Sequence, residues 1–272
     1  LPGFTQTMLP NPISQGSCSL IANEDRTAIV CSVQVSHDGE ISDIQFSEAL
    51  VRSRAKLSYS DVHAHLHGDM DLDQACLSEL YAASLALKKY RREHYIIMPE
   101  QADFYFQLNE QRKIESITKI ERNDAHRLVE ECMLAANRSA ALWLADSPAL
   151  YVCHAGLRED RYENVKAVLN KEIPSLTDCD LSTLTGYKAL IKASENSEST
   201  LPLRSIFARM LQPGDLSLEP KPHFGLGLER YTTFTSPLRK YSDLLVQRCI
   251  RAKLNNEVPT LPNDDELAVL QE

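Results

Sequence analysis

Two stretches of the chain alternate between apolar and polar residues, and this pattern predicts two antiparallel β-hairpins. Residues 28–35 and 41–47 are rich in β-branched and apolar side chains and flank an Asp-Gly turn at 38–39, which is typical of a hairpin. Residues 104–108 and 113–120 repeat the pattern. We therefore expect one hairpin on each side of the intervening region.

Elsewhere the apolar residues recur every three or four positions, which is the spacing of an amphipathic helix. Between the hairpins this spacing predicts a helix over residues 73–93, from Leu77, Leu80, Tyr81, Ser84 and Leu85. Further helices are predicted at about 124–145, 159–171 and 201–211. Because strands and helices alternate loosely, we expect a mixed α/β (α+β) fold with antiparallel hairpins and packed helices.

The last predicted helix has a distinct start at a Ser-Pro pair. Ser236 suits the N-cap and Pro237 the first helical position, where its missing N–H costs nothing. The stripe that we expect to be buried consists of Leu238, Tyr241, Leu245, Cys249 and Ala252. Arg239, Lys240 and Asp243 are expected to point away from this stripe.

Composition indicates a folded chain. The 272 residues are 43% hydrophobic and 25% charged, which suits a sizeable core and not a disordered chain. The mean hydropathy is −0.30, and we expect a soluble protein with no membrane partner. Residues 1–254 are predicted to form one domain, and residues 255–272 an acidic linker or the start of a following segment. Since the sequence starts at Leu1, we expect a piece of a longer chain.

The seven cysteines are scattered along the chain without a Cys-x-x-Cys pair. Their odd number and wide spacing argue against a disulfide framework and a local zinc knuckle. Most lie in apolar stretches, so we expect buried, reduced thiols with no disulfide partner in a cytoplasmic protein. The sequence does not indicate the oligomeric state, and a monomer is expected.

Charge is distributed unevenly. The net charge is −9, yet residues 230–253 carry six basic side chains against the single acidic Asp243, and residues 254–272 carry five acidic side chains and no basic one. Phosphate binding needs focused positive potential. The basic segment is therefore the part of this acidic chain that suits a nucleic acid.

Arg239 and Lys240 fall in the first turn of the last predicted helix, beside backbone N–H groups that have no partner within the helix. A guanidinium in that position can grip a phosphate with two hydrogen bonds. The alternative is an exposed basic face on which Arg239 pairs with Asp243.

His223 precedes a Gly-x-Gly run at 225–227, which without a third glycine is a weak nucleotide signal. This histidine is a candidate base or RNA contact. The alternative is a hydrogen-bonded histidine at a strand edge.

Three histidines and three aspartates alternate over residues 63–73, from His63 to Asp73. Alternate residues share a face only on a strand, whereas this region has the pattern of a helix end and a loop. A calcium loop opening at Asp69 would need glycine and glutamate at positions that hold Gln74 and Leu80. The sequence therefore predicts no functional metal site here.

Two long runs stand close together near the end of the chain: HFGLGL at 223–228 and YTTFTSPLRKYSDL at 231–244. Together they are similar to the signature of the RNB catalytic domain, the core of ribonuclease II and ribonuclease R. Shorter runs agree in order, from LPGF at 1–4 and AKLSY at 55–59 to LVEECM at 128–133. The resemblance covers residues 1 to about 254 and is greatest for the bacterial ribonuclease II branch.

The resemblance implies a processive 3′→5′ exoribonuclease that hydrolyses single-stranded RNA to nucleoside 5′-monophosphates with Mg²⁺. It implies that Arg239 contacts the scissile phosphate and stabilises its transition state. Tyr59 matches an aromatic residue at the end of the RNA channel, and Glu130 matches a carboxylate near the terminal nucleotide. The other residues expected to contact RNA are Met98, Lys240, His223 and Tyr241.

The sequence departs from the family pattern in two respects. The family's magnesium-binding aspartates precede the LPGF run, at which this sequence starts, so we expect no Mg²⁺ ligands and no hydrolysis by this chain alone. Met98 replaces a phenylalanine that stacks on the terminal base. An alternative function is a non-catalytic RNA-binding or regulatory protein that retains the RNA channel. A third is an acidic domain in which Arg239 pairs only with Asp243.

Overall fold

The mixed α/β architecture is confirmed by a computed structural model, which describes residues 6–73, 76–97 and 102–271. The strands are β1 (Asp25–Val35), β2 (Ile41–Arg52), β3 (Asp103–Leu108), β4 (Ile114–Ile120), β5 (Tyr151–His154) and β6 (Gly214–Ser217). The helices are α1 (Tyr59–Leu66), α2 (Leu77–His94), α3 (Asp124–Trp143), α4 (Tyr162–Glu172), α5 (Leu184–Glu195), α6 (Leu203–Arg209), α7 (Tyr241–Leu254) and α8 (Asp264–Gln271). Shorter helical turns lie at Pro12–Ser17, Glu159–Arg161, Pro174–Leu176 and Phe224–Leu226.

Both predicted hairpins are confirmed. β1 pairs antiparallel with β2, and β3 pairs antiparallel with β4. The turn of the first hairpin contains Gly39 at φ +85°, where an added Cβ would lie 2.0 Å from the carbonyl oxygen of Ala86. Only glycine fits so close to the backbone of α2, and the turn is thereby fixed against that helix. A third pairing, β5 with β6, was not predicted.

The buried side chains form two clusters. One joins α4, α5 and α6 around the fully buried Val165, Tyr187 and Phe207. The other joins α3, α7, β5 and the first hairpin, and includes Phe46 and Ile250. Leucines of α8 pack against this second cluster, so the acidic end of the chain folds back onto the domain. The domain boundary near residue 254 stays a prediction.

Helix α3 begins where the sequence predicts because its first turn is capped from both sides. The side-chain oxygen of Asn123 accepts a hydrogen bond from the backbone N–H of His126 at 3.2 Å, and Nδ1 of His126 accepts one from the N–H of Asn123 at 3.3 Å. This reciprocal arrangement pairs donors that a helix start leaves open. The ring of His126 is thereby held at the N-terminal end of α3.

The predicted start of the last helix is wrong. α7 begins at Tyr241, and the preceding Lys240 is extended, at φ −135° and ψ 116°. Ser236 instead opens a separate turn, because its carbonyl oxygen accepts from the N–H groups of Arg239 and Lys240. The predicted stripe is correct at Leu245, Cys249 and Ala252, which are buried, and wrong at Tyr241, which is 49% exposed.

The predicted orientation of Asp243 is also wrong, since only 1% of this residue is exposed. Its carboxylate is buried because it accepts hydrogen bonds from the segment that precedes α7. Cys18 and Cys76 are exposed, which corrects the expectation of buried thiols at these two positions. Within the described residues, no helix is both long and apolar enough for a membrane crossing.

Candidate nucleic-acid interface

One face of α3 carries the side chains around which the candidate site is built. His126, Glu130 and Asn137 are spaced by four and seven residues, so they fall within about 40° of one another around the helix. His126 lies in the first turn, and Asn137 lies about 16 Å further along the axis. The three side chains therefore mark one face over about three turns of α3.

Tyr59 is the first residue of α1. The start of this helix is fixed by Ser58, whose side-chain hydroxyl accepts a hydrogen bond from the backbone N–H of Asp61 at 3.1 Å. The Tyr59 ring stacks on the ring of His126, with centroids 3.9 Å apart and an interplanar angle of 17°. Asn123 Nδ2 donates to the carbonyl oxygen of Tyr59 at 3.2 Å. Since 46% of Tyr59 is exposed, the stacked pair offers aromatic surface to a base.

The pKa of the His126 ring in this stack lies below its usual value. Burial lowers its pKa, and the cations of Arg122 and Arg127 lower it further. A neutral imidazole costs less to cover with a base than a charged one.

Two neighbouring carboxylates of α3 are used differently. Glu130 is partly exposed and forms an ion pair with Arg122. Glu131 is buried and binds Arg91 of α2 through both oxygens, at 2.5 and 3.1 Å. Glu130 is therefore available to a ligand, whereas Glu131 fastens α2 to α3. The sequence did not single out Glu131, although it lies in the same LVEECM run.

The segment that leads to Arg239 is bound to α3 through Asn137. The buried amide of Asn137 donates to the hydroxyl of Tyr231 at 3.1 Å and accepts from the N–H of Phe234 at 3.0 Å. This contact ties residues 231–234 to the α3 face that carries Glu130.

Asp243 holds the next residues of that segment in place. Its carboxylate accepts from the hydroxyl of Thr233 at 2.6 Å and from the N–H of Ser236 at 2.9 Å. Lys240 Nζ lies 3.2 Å from the same carboxylate. The sequence alternative of an Arg239–Asp243 pair is wrong, because Lys240 occupies the position of that partner.

Arg239 stands on the exposed side of the Ser236 turn. Its Nη2 donates to the Ser236 hydroxyl at 3.3 Å, a single neutral contact that a phosphate can replace. Tyr241 is half-exposed two residues further along. The turn thus presents Arg239 and Tyr241 to solvent while Lys240 is bound to Asp243.

Two other basic side chains of the segment already have partners. Arg251 pairs with Glu48 of β2 at 2.9 Å, and Lys253 donates to the carbonyl oxygen of Trp143 at 2.5 Å. These contacts neutralise or occupy cations that the sequence analysis counted toward nucleic-acid binding. Arg239 is the exposed cation of the Ser236 turn that a phosphate can reach, and Arg248 of α7 is a further exposed cation of the segment.

His223 is mostly buried, and its Nδ1 accepts from the N–H of Leu226 at 3.2 Å. Burial, together with the neighbouring His154 ring 5.2 Å away, lowers the pKa of His223 to about 4. This geometry favours the hydrogen-bonded alternative, and an RNA contact by His223 stays a prediction. Met98 lies outside the described residues.

The described residues do not fit a magnesium site. Where they bring three side chains of metal-binding type together, at His63, His67 and Asp124, two of the donors are imidazoles, whereas Mg²⁺ takes oxygen ligands. Asp243, which is close to Arg239 in sequence, already accepts three hydrogen bonds and pairs with a lysine.

Comparison with known proteins gives one family. The model of the RNB domain matches residues 1–256. The exoribonuclease 2 of Baumannia cicadellinicola subsp. Homalodisca coagulata is 36% identical over 274 residues, which cover 97% of this chain and 42% of that protein. The chain thus spans less than half the length of this curated relative.

Solved structures of an RNase R have the same fold as this chain. The apo form of Mycoplasma genitalium RNase R matches with a TM-score of 0.81 and 22% identity, over 99% of this chain and 43% of that one. The same enzyme in complex with ribose-methylated single-stranded RNA matches with a TM-score of 0.80 and 21% identity, over the same shares.

Proposed function

Because this chain belongs to the RNB domain family, we propose that it is part of the catalytic domain of a 3′→5′ exoribonuclease acting on single-stranded RNA. The products are nucleoside 5′-monophosphates, and the enzyme works in the cytoplasm. The observation that supports this proposal is the shared face of α3. It carries the partner of Tyr59, the carboxylate of Glu130 and the amide that fastens the Arg239 segment.

The three positions suit the three parts of a nucleotide. The exposed Tyr59 ring stacks on a base near the 3′ end. Glu130 accepts a hydrogen bond from a ribose 2′-hydroxyl, the group that distinguishes RNA from DNA. Arg239 binds a backbone phosphate and stabilises the charge that develops on it during hydrolysis. Lys240 lowers the local negative potential that Asp243 would otherwise create.

The magnesium that the family resemblance implies would be held by carboxylates outside this chain. When bound, it would supply the activated water and the stabilisation of the leaving group. The residues of this chain bind and orient the strand.

The RNA-binding part of the proposal is tested with a fluorescent single-stranded oligoribonucleotide and the purified 272-residue chain, by anisotropy over a range of salt concentrations. We expect affinity to fall as salt rises. Arg239→Ala should weaken binding by roughly tenfold, the equivalent of one charge-assisted hydrogen bond. It should also reduce the slope of log affinity against log salt by about 0.7, the loss of one phosphate contact.

Matched controls separate these effects from a general change of surface. Arg161 is an exposed arginine in the turn before α4, 3.3 Å from Asp160, and Arg161→Ala should leave affinity and slope unchanged. Tyr59→Ala should lose roughly tenfold, and Tyr105→Ala, at an exposed tyrosine of β3, should not. No binding at low salt, or equal losses at the control positions, would contradict the proposal.

Hydrolysis is tested separately, with a labelled oligoribonucleotide and magnesium. A full-length protein that carries the magnesium-binding aspartates should release mononucleotides, and the 272-residue chain should bind without releasing them. Mononucleotides from this chain alone would show that our placement of the magnesium ligands is wrong. Binding without hydrolysis by the whole protein would favour the non-catalytic RNA-binding alternative.

A further inference from the structure

We propose that His63, His67 and Asp124 form a binding site for a divalent transition metal of the zinc type, which joins α1 to the start of α3. His63 lies on α1 and His67 is the residue directly after that helix. Their ring centroids are 4.4 Å apart. Asp124 is the first residue of α3. One donor atom from each of the three residues lies within 4.8 Å of the other two.

The distances between the three donor atoms are close to those between the ligands of a bound metal ion. His67 Nε2 lies 2.9 Å and His63 Nδ1 lies 3.8 Å from Oδ2 of Asp124. Tetrahedral zinc with bonds of about 2.0–2.2 Å places neighbouring donor atoms about 3.3 Å apart. The separations from Oδ2 of Asp124 bracket that value, so small rotations of the side chains suffice to close the site.

The second observation is the unpaired nitrogen of His63. Its Nδ1 is shielded from solvent and has no hydrogen-bond partner. A hydrogen bond between His67 and Asp124 accounts for those two residues but leaves this nitrogen unsatisfied, which has a free-energy cost. A metal ion shared by all three residues would give the His63 nitrogen a partner.

The surrounding contacts leave the required lone pairs open. Arg127 Nη1 lies 3.3 Å from Oδ1 of Asp124, so the carboxylate is oriented through one oxygen while Oδ2 faces the histidines. Such an orienting contact to a ligand oxygen is a regular feature of metal sites. His65 lies outside the cluster, because its Nδ1 accepts from the N–H of Leu72 at 3.1 Å.

The donor set selects the metal. Two imidazole nitrogens and one carboxylate oxygen suit zinc and its neighbours in the first transition row, whereas Mg²⁺ and Ca²⁺ prefer oxygen. The rings of His63 and His67 are 40% and 47% exposed, which leaves room for a water molecule as the fourth ligand. Three protein ligands and one water form a common zinc geometry.

The site lies where it can order Tyr59. α1 is eight residues long and has no fully buried residue, so few apolar contacts hold it in place. Tyr59 begins this helix and stacks on His126, two residues after Asp124. A metal ion bound to His63, His67 and Asp124 would therefore hold together the two helices that form the aromatic stack.

The test uses Zn²⁺ in calorimetric titrations of the metal-free chain and Co²⁺ as a spectroscopic probe. We expect one equivalent of Zn²⁺, visible d–d absorption from tetrahedral Co²⁺ that Zn²⁺ displaces, and a higher thermal midpoint with zinc. His67→Gln, His63→Gln and Asp124→Asn should each weaken zinc binding at least about tenfold. His67→Gln can still donate a hydrogen bond to Asp124, so it separates loss of metal from loss of fold.

The control is His37→Gln, at an exposed histidine in the turn of the first hairpin, which should retain the wild-type affinity and Co²⁺ spectrum. The site assignment is wrong if the chain binds no zinc or if the Co²⁺ spectrum lacks tetrahedral character. It is equally wrong if His37→Gln loses as much affinity as His67→Gln. None of these measurements involves RNA, so their outcome is independent of the proposed exoribonuclease function.

Discussion

Replacing Asp243 should destabilise the protein more than any single change among the basic residues around it. The carboxylate is 1% exposed and accepts from Thr233 and from the backbone of Ser236. Asp243→Ala removes both acceptors and leaves two donors without partners. Each such donor costs about 1–3 kcal/mol, so we expect a loss of about 3–5 kcal/mol in the free energy of unfolding.

Two other variants should lose less unfolding free energy than Asp243→Ala. Asp243→Asn keeps the shape and one acceptor oxygen, so it should lose about 2 kcal/mol. Lys240→Ala removes the ammonium that lies 3.2 Å from the carboxylate, but 44% of the lysine side chain is exposed. Solvent screens such a pair, and its loss should cost less than about 1 kcal/mol.

Urea unfolding followed by tryptophan fluorescence measures these differences. Trp143 is the single tryptophan of the chain, and its ring centroid lies 4.9 Å from that of Phe46, in the cluster that α7 completes. The probe therefore reports on the part of the molecule that Asp243 holds. Far-UV circular dichroism on the same samples checks that the transition is two-state.

The reasoning would be refuted if the losses of unfolding free energy did not follow this order. If Lys240→Ala destabilises as much as Asp243→Ala, the ion pair and not the buried hydrogen bonds stabilises the Ser236 turn. A loss below about 1 kcal/mol for Asp243→Ala would mean that the two donors find other partners. In the second case Asp243 would not be the residue that positions Arg239.

Three further changes test other contacts. Glu131→Ala should cost about 3–5 kcal/mol because it strands Arg91, and the double variant Arg91→Met/Glu131→Leu should recover most of that loss in urea unfolding. Burial lowers the pKa of His223 from 6.5 to about 4, so as pH falls this histidine is protonated in the unfolded chain before it is protonated in the folded one. The free energy of unfolding should therefore drop by about 2 kcal/mol from pH 7 to pH 5, and the drop should be smaller in His223→Gln. Gly39→Ala should cost more than Gly68→Ala, since both have positive φ but an added Cβ meets the Ala86 carbonyl only at Gly39; equal unfolding midpoints would argue against that clash.

The hairpins and most helices could be predicted because their signals are local. The Asp-Gly turn at 38–39 and the alternation around it decide the first hairpin without help from the rest of the chain. Helix α5 was not predicted, although Leu184, Tyr187, Leu190 and Ile191 have helical spacing and would have indicated it. The short strands β5 and β6 offer four residues each, too few for a periodic pattern.

The start of α7 shows where local signals fail. Ser236 and Pro237 have the sequence of a helix N-terminus, but the backbone N–H of Ser236 bonds to Asp243, seven residues later. That contact depends on burial of the carboxylate, which no spacing rule reveals. The grouping of His63, His67 and Asp124 was not predicted for a similar reason: alternation drew attention to residues two apart, whereas His63 and His67 are four apart and Asp124 comes from another element.

Helix α3 is also the reason that the two ends of the candidate site should act independently. His126 and Asn137 are about 16 Å apart along a rigid helix, and effects of changes more than about 7–10 Å apart are usually additive when they share no partner. Tyr59 depends on the first turn of α3, whereas Arg239 depends on Asn137 and Asp243. The losses of RNA affinity in Tyr59→Ala and Arg239→Ala should therefore sum in the double variant. A much smaller combined loss would show that base stacking and phosphate binding are coupled through the RNA strand itself.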